Sequence, residues 1–335
     1  MTGNLAQLHD VKQRMNALGK DGQPFLFLFD FDRQCPEVWT LNEVASQGVR
    51  FQLPGLFTAD LEGKDLPDHS VVSTPLLQRL APYPLDQYSQ QFNQMMVALR
   101  RGDTYLVNLT CQTPISLTTH LDDVYEKVRA RYKLKYKDLF VCFSPETFVR
   151  INNGVISTYP MKGTIDASLP NARECLLANV KEKAEHSTVV DLLRNDLSQV
   201  ATNVTVENFR YVEEVVTDNG KLLQVSSRIV GKLPADYQAH IGDIIAALLP
   251  AGSVTGAPKE KTVELINAVE TYKRGYYTGV FGVFDGRDLD SAVLIRFIER
   301  TSDGWVYKSG GGLTAMSRLE EEYEEMQLKV YVPVY

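Results

Sequence analysis

Three dipeptides, Asn153-Gly154, Asp285-Gly286 and Asp303-Gly304, constrain the fold of this chain more than any other feature. An Asn-Gly or Asp-Gly pair takes up the positive φ angles of a two-residue hairpin turn at little cost, so each marks a pair of antiparallel neighbours. The segments around them are rich in β-branched and aromatic residues. Strands are predicted at 24–31, 104–110, 139–143, 155–159, 222–233, 279–284, 292–300 and 305–308. Apolar residues at helical spacing predict helices near 1–19, 86–101, 121–133, 171–199, 241–249, 258–273 and 317–331, with Gly102 stopping one and Pro258 opening another. The expectation is an α+β fold with large antiparallel sheets. No low-complexity linker, charge block or internal repeat divides 1–335, which predicts one intertwined domain.

Composition removes several classes of function. Hydrophobic residues at 44% and charged residues at 23% are the balance of an ordinary globular protein. A net charge of −7 is the wrong sign for a nucleic-acid surface, and an anionic substrate would have to find its cations locally. Cys35, Cys111, Cys142 and Cys175 contain no CxxC pair and read as free thiols. No segment has the apolar length of a membrane span or a signal peptide, so cytoplasmic residence is expected.

Two helices each offer a pair of carboxylates. Glu182 and Glu185 are three residues apart, hence on one face, and Val189 and Leu192 continue that stripe inward. Glu322 and Glu325 repeat the pattern, with Lys329 one turn further on. Inward carboxylates need a cation or hydrogen-bond donors, and four of them suit a hard ion such as Mg2+. The same spacing also decorates solvated helix faces. A di-iron Glu-x-x-His arrangement fits less well, because His186 is adjacent to Glu185. The run 252–259 leads into a helix and has the free N–H groups of an anion site, without the Gly-Lys-Ser/Thr of a nucleotide loop. Gly310-Gly311-Gly312 allows close approach to the backbone or a tight turn. Lys162, between Pro160 and Gly163, is either a solvated turn residue or a desolvated nucleophile.

Together these segments resemble the chorismate-utilising enzymes, which include anthranilate synthase, aminodeoxychorismate synthase, isochorismate synthase and salicylate synthase. The resemblance runs through Ser144-Pro145-Glu146, 159–164, Glu185-His186, 190–196, 252–259 and 310–329. It is strongest over 102–331, while 1–101 is short and divergent. The resemblance implies a sandwich of antiparallel sheets flanked by helices. Lys162 in a Pro-x-Lys-Gly-Thr loop resembles the aminodeoxychorismate synthases, whereas anthranilate synthases carry a small residue there. The family picture then has Lys162 attacking the ring of chorismate as the 4-hydroxyl leaves, Glu146 protonating that hydroxyl, and ammonia displacing Lys162. It also implies Glu185 and Glu325 as Mg2+ ligands, supported by Glu182 and Glu322, and Thr255, Gly256, Tyr277, Arg296, Gly310, Gly312 and Lys329 around the substrate carboxylates.

Two positions depart from the family pattern. Gln224 stands where the family has His, and Leu106 where isochorismate and salicylate synthases have the Lys that activates water. An apolar side chain cannot be that base, which favours amination. The alternatives are an anthranilate synthase component I, which would also eliminate pyruvate, and a non-catalytic chorismate-binding subunit. No Cys is placed like an amidotransferase nucleophile, so ammonia is expected from a separate glutamine amidotransferase subunit.

Overall fold

The strand Phe25–Phe29 sets the layering. All five of its side chains are buried, yet successive residues point to opposite faces. Phe25, Phe27 and Phe29 enter a core shared with Met15, Val189, Leu193 and Ile245, which lie on helices. Leu26 and Leu28 enter a different core with Phe51, Leu134, Phe140 and Phe297 of a second sheet. Each fully buried side chain of this size contributes roughly 1.5–3 kcal/mol, so a one-residue slip would misplace all five.

The computed structural model describes residues 2–57, 75–217 and 220–332. Among these, two nine-stranded sheets form the sandwich, and every strand pairing is antiparallel. The first runs in the order Met161–Asp166, Gly220–Lys232, Val155–Thr158, Thr147–Asn152, Leu289–Val293, Val280–Phe284, Phe25–Phe29, Glu37–Thr40, with Thr202–Thr217 paired to Gly220–Lys232. The second runs Gly256–Ala257, Leu106–Leu117, Gly304–Leu313, Phe297–Thr301, Phe140–Ser144, Tyr132–Tyr136, Val49–Leu53, Leu56–Phe57, with Leu77–Arg79 paired to Leu106–Leu117. Helices Thr2–Lys20, Val180–Ser198 and Ile241–Leu248 cover the first sheet, and Leu85–Arg101, Lys259–Val269 and Leu319–Leu328 the second. The expected α+β class with large antiparallel sheets holds, and all three hairpins form. The four cysteines are free.

Several boundaries differ from expectation. The segment 292–300 is two strands in different sheets, because the chain crosses over at Leu294-Ile295-Arg296, where Arg296 takes φ 55°. A second crossing lies at Pro145-Glu146, between Phe140–Ser144 and Thr147–Asn152. The two crossings are tied to each other, since Val293 N donates to Glu146 O at 3.2 Å and Phe143 N to Arg296 O at 3.1 Å. The helix expected over 171–199 breaks at Asn179, whose side chain caps Val180–Ser198 by accepting from Glu182 N. The helix expected to reach 133 ends at Lys127, and Tyr132–Tyr136 is a strand. The triple glycine lies inside the strand Gly304–Leu313 rather than after one.

Candidate active site

Lys162 reaches the interior through an irregularity in its strand. Pairing passes from Met161↔Ser226 to Thr164↔Gln224, so Lys162 and Gly163 together stand against Val225. Such a bulge re-aims a side chain, and Gly163 supplies the positive φ of 82° that it requires. Lys162 is thus a strand residue, not the loop residue expected. Its Nζ lies 2.6 Å from Glu185 Oε2, a carboxylate only 3% exposed. Burial works hardest against the ammonium, but Glu185, Glu182 and Glu325 outweigh it and hold the Lys162 pKa above its ordinary range. The neighbours are carboxylates, not the cations that would release the proton, so Lys162 rests as an ammonium.

The side chain opens into a cavity of about 290 Å³ between the sheets. Glu146, Gln224, Thr255, Gly256, Tyr277, Arg296, Gly310, Gly312, Glu325 and Lys329 line it with Lys162, and Leu106 lies in the same wall. The two sheet crossings therefore deliver Glu146 and Arg296 to one wall. Burial raises the pKa of Glu146 despite a hydrogen bond from the Ser253 hydroxyl and the charges of Lys329 and Arg296. Lys329 Nζ pairs with Glu325 at 2.7 Å and donates to Gly310 O at 2.8 Å, while Arg296 Nη1 donates to Lys329 O at 3.3 Å. A net-negative chain has gathered Lys162, Arg296 and Lys329 around one cavity whose lining also includes Lys308.

Backbone approaches depend on missing side chains. Phe297–Thr301 pairs with Gly304–Leu313 only as far as Lys308, so the glycine run has no strand on that edge and faces the cavity. A Cβ on Gly310 would fall 2.6 Å from Thr110 Cγ2, and one on Gly256, at φ 135°, 1.9 Å from Leu106 O. The run 252–257 is a helical turn and a short strand paired with Leu106–Leu117, and the cavity lining stops at Gly256. The helix N-terminus after Pro258, expected to receive an anion, is not part of that lining.

The four carboxylates approach from two helices without closing on one another. Glu185 holds Lys162 with one oxygen, and its buried Oε1 has no hydrogen-bond partner. Glu182 Oε2 lies 3.3 Å from where a Gly163 Cβ would stand. Beside Gly311 lie Glu322, whose Oε1 accepts from Ser317 Oγ at 2.7 Å, and Glu325. Among the described residues no group of three or more His, Cys, Asp or Glu side chains is gathered tightly enough to hold a metal ion. The donor set nevertheless fits a hard cation, since all four are oxygen donors and a buried carboxylate oxygen without a partner calls for positive charge. His186 turns away to Ser227 Oγ at 2.6 Å, and burial, Arg210 and Lys162 push its pKa down to about 4.

Sequence reasoning gives no role to Ser253, Asp196 or Lys259. Asp196 lies in the last turn of the Val180–Ser198 helix and pairs with Lys259 at 2.8 Å, and a Cβ on Gly252 would meet it at 2.7 Å. This pins the 252–256 wall to the carboxylate-bearing helix. All three lie inside the motifs that carry the family resemblance, but only their long-range pairing reveals what they hold.

Residues 49–334 match the family model described as chorismate binding enzyme, a match that begins well before residue 102. An uncharacterized PabA-like protein of Pasteurella multocida is 48% identical, the alignment covering 98% of this chain and 99% of that protein. Aminodeoxychorismate synthase component 1 of Bacillus subtilis is 33% identical over 92% of this chain and 69% of its own length. Among solved structures, anthranilate synthase component I from Streptococcus pneumoniae superposes with a TM-score of 0.65 at 26% identity, covering 78% of this chain and 60% of that one. The menaquinone-specific isochorismate synthase MenF of Escherichia coli shares the fold at a TM-score of 0.70 and 17% identity, over 97% and 81% of the two chains. No described helix is long and apolar enough to cross a membrane.

Proposed function

The chain belongs to the chorismate-binding enzymes, and from that premise we propose that it is component I of an aminodeoxychorismate synthase, converting chorismate and ammonia to 4-amino-4-deoxychorismate. The observation that carries this reading is the amine of Lys162 inside the cavity, opposite the glycine strand and held by Glu185. The 33% identity to a component 1 over most of the chain supports it. The name of that relative supports a partner subunit, which we take to be a glutamine amidotransferase supplying ammonia to a product destined for para-aminobenzoate and folate.

Arg296, Lys329 and the open edge at Gly310 and Gly312 hold the carboxylates of chorismate. Lys162 must give up a proton to solvent to attack, and Glu185 Oε2 at 2.6 Å holds the ammonium in place until it does. Its Nζ then bonds to the ring carbon next to the one bearing the carboxylate, the ring double bond shifts, and the 4-hydroxyl leaves as water with the proton of Glu146. Two steps replace one difficult displacement. Ammonia adds at the 4-position, the Lys162 bond breaks as the double bond returns, and the surplus protons go back to Glu146 and Lys162. Glu185 and Glu325, supported by Glu182 and Glu322, would hold Mg2+, which supplies Lewis-acid polarisation of a substrate carboxylate when bound.

Anthranilate synthase component I is the competing reading, favoured by the likeness to the Streptococcus pneumoniae structure. Mass analysis after incubation with chorismate, Mg2+ and ammonium separates the two. Aminodeoxychorismate without pyruvate is expected, and anthranilate with stoichiometric pyruvate overturns the proposal.

A further inference from the structure

Behind the cavity wall lies a buried ion pair that the chemistry above does not use. Arg274 and Glu270 side chains are each 2% exposed and meet at 2.7 Å, four positions apart in the irregular segment just past the Lys259–Val269 helix. Their remaining bonds go to three different walls of the cavity. Arg274 Nη1 donates to Val254 O at 2.8 Å, at the residue before Thr255, and to the Thr278 hydroxyl at 3.3 Å, beside Tyr277. Its Nη2 donates to Asn108 O at 2.6 Å, and Asn108 is the strand partner of Gly312. Glu270 Oε1 accepts from Thr110 N at 2.9 Å and Thr110 Oγ1 at 2.8 Å, and Thr110 is the strand partner of Gly310. Thr278 is held at φ 62°, which a β-branched residue adopts only under constraint.

We propose that Glu270 and Arg274 are positioning residues that set the spacing of Thr255, Tyr277 and the Gly310–Gly312 edge for substrate binding. A buried pair kept for stability alone needs only its own partners and can often be replaced by packed apolar side chains. Here the planar fork of Arg spans carbonyls from two segments at once, which a lysine ammonium cannot reproduce. Neither residue lines the cavity, so both act through backbone groups they hold. The inference rests on the chorismate reading for its substrate, but the geometry it invokes exists without substrate.

The test compares wild type with Glu270→Leu/Arg274→Met, Arg274→Lys and Glu270→Gln by steady-state kinetics and by hydrogen exchange of the peptides covering 252–257 and 106–111 in the substrate-free protein. The expected result for the folded variants is a KM for chorismate raised tenfold or more, kcat changed less than threefold, and at least tenfold faster exchange in both peptides. A double variant that melts like wild type with KM and exchange within twofold overturns the proposal and leaves the pair a structural one. Should the double variant fail to fold, Arg274→Lys and Glu270→Gln decide by the same criteria. If wild type turns over no chorismate the functional reading falls, and the exchange rates alone then confirm or refute the positioning role.

Discussion

Lys162 Nζ and Glu185 Oε2 stand 2.6 Å apart across the boundary between a bulged strand and the helix Val180–Ser198. The proposed nucleophile and a proposed metal ligand are therefore each other's counter-ion. Whatever draws charge away from Glu185 loosens the hold on the Lys162 proton, which couples the two roles.

Incubation with chorismate and Mg2+ in the absence of ammonia is expected to leave a covalent adduct on Lys162, found by peptide mass mapping. Lys162→Ala should form none and should lose amination. The amine lies in the cavity wall and nothing else present displaces it efficiently. Amination by Lys162→Ala at the wild-type rate would mean direct attack by ammonia.

Activity should vanish in excess chelator and return with added Mg2+. Glu185→Gln or Glu325→Gln should remove it, and Glu182→Gln or Glu322→Gln should weaken metal affinity or activity by roughly 10–100-fold, the usual effect of supporting groups. Titration calorimetry with Mg2+ alone provides a readout independent of turnover. Full turnover in chelator would make these carboxylates a structural set.

Glu146 carries a raised pKa, chiefly because it is buried, so its acid form persists to higher pH than that of a solvent carboxyl. The rate limb that depends on this acid should fall as pH rises through the raised value. Glu146→Gln should flatten that limb and lower kcat about 10²–10⁴-fold. The linkage runs the same way for stability: a folded pKa above the unfolded one favours the fold below the unfolded value, and that benefit disappears as pH rises. Above the raised pKa the buried charge therefore costs stability, and thermal melts of Glu146→Gln there should match or exceed wild type.

Lys133 tests the same linkage far from the cavity. It is 5% exposed, and burial pushes its pKa down to about 8, with Glu126 opposing and Arg50 assisting. A depressed lysine stabilises the fold above its unfolded pKa of 10.5, and this contribution is lost as pH falls through about 8. Urea titrations should show stability rising between those values, with the slope from this residue gone in Lys133→Met. An unchanged slope would mean that Lys133 remains solvated and charged.

Lys133 also shows where sequence reading stops. In Tyr132–Tyr136 all five side chains are buried, lysines included, because Lys133 donates to Val128 O at 3.0 Å and sits over the Tyr125 ring. Lysines alternating with Tyr132, Leu134 and Tyr136 have the period of a strand with one solvated face, and nothing local shows the partners that let them go inside. The hairpins were legible because their turns are local, two residues at 153–154, four at 285–288 and two at 302–303. Arg296 was not, since its strand break answers to the opposite sheet and to Glu146, 150 positions earlier in the 335-residue chain. The gathering of Lys162, Glu146, Arg296 and Lys329 around one cavity followed from the family resemblance, whereas the Glu185 counter-ion, which changes the protonation of Lys162, required coordinates.

Among the described residues Met161–Asp166 is the outermost strand at its end of the sheet, paired with Gly220–Lys232 alone, while Pro145-Glu146 is sewn into the seam between both sheets. The two ends of the proposed reaction thus differ in how freely they can be rewritten. A substitution at 162 alters one bulge on a margin, but moving the acid would mean shearing one sheet against the other. New chemistry on this scaffold is accordingly easiest to graft at the rim, with the proton donor kept as the fixed point around which other attacking groups are tried.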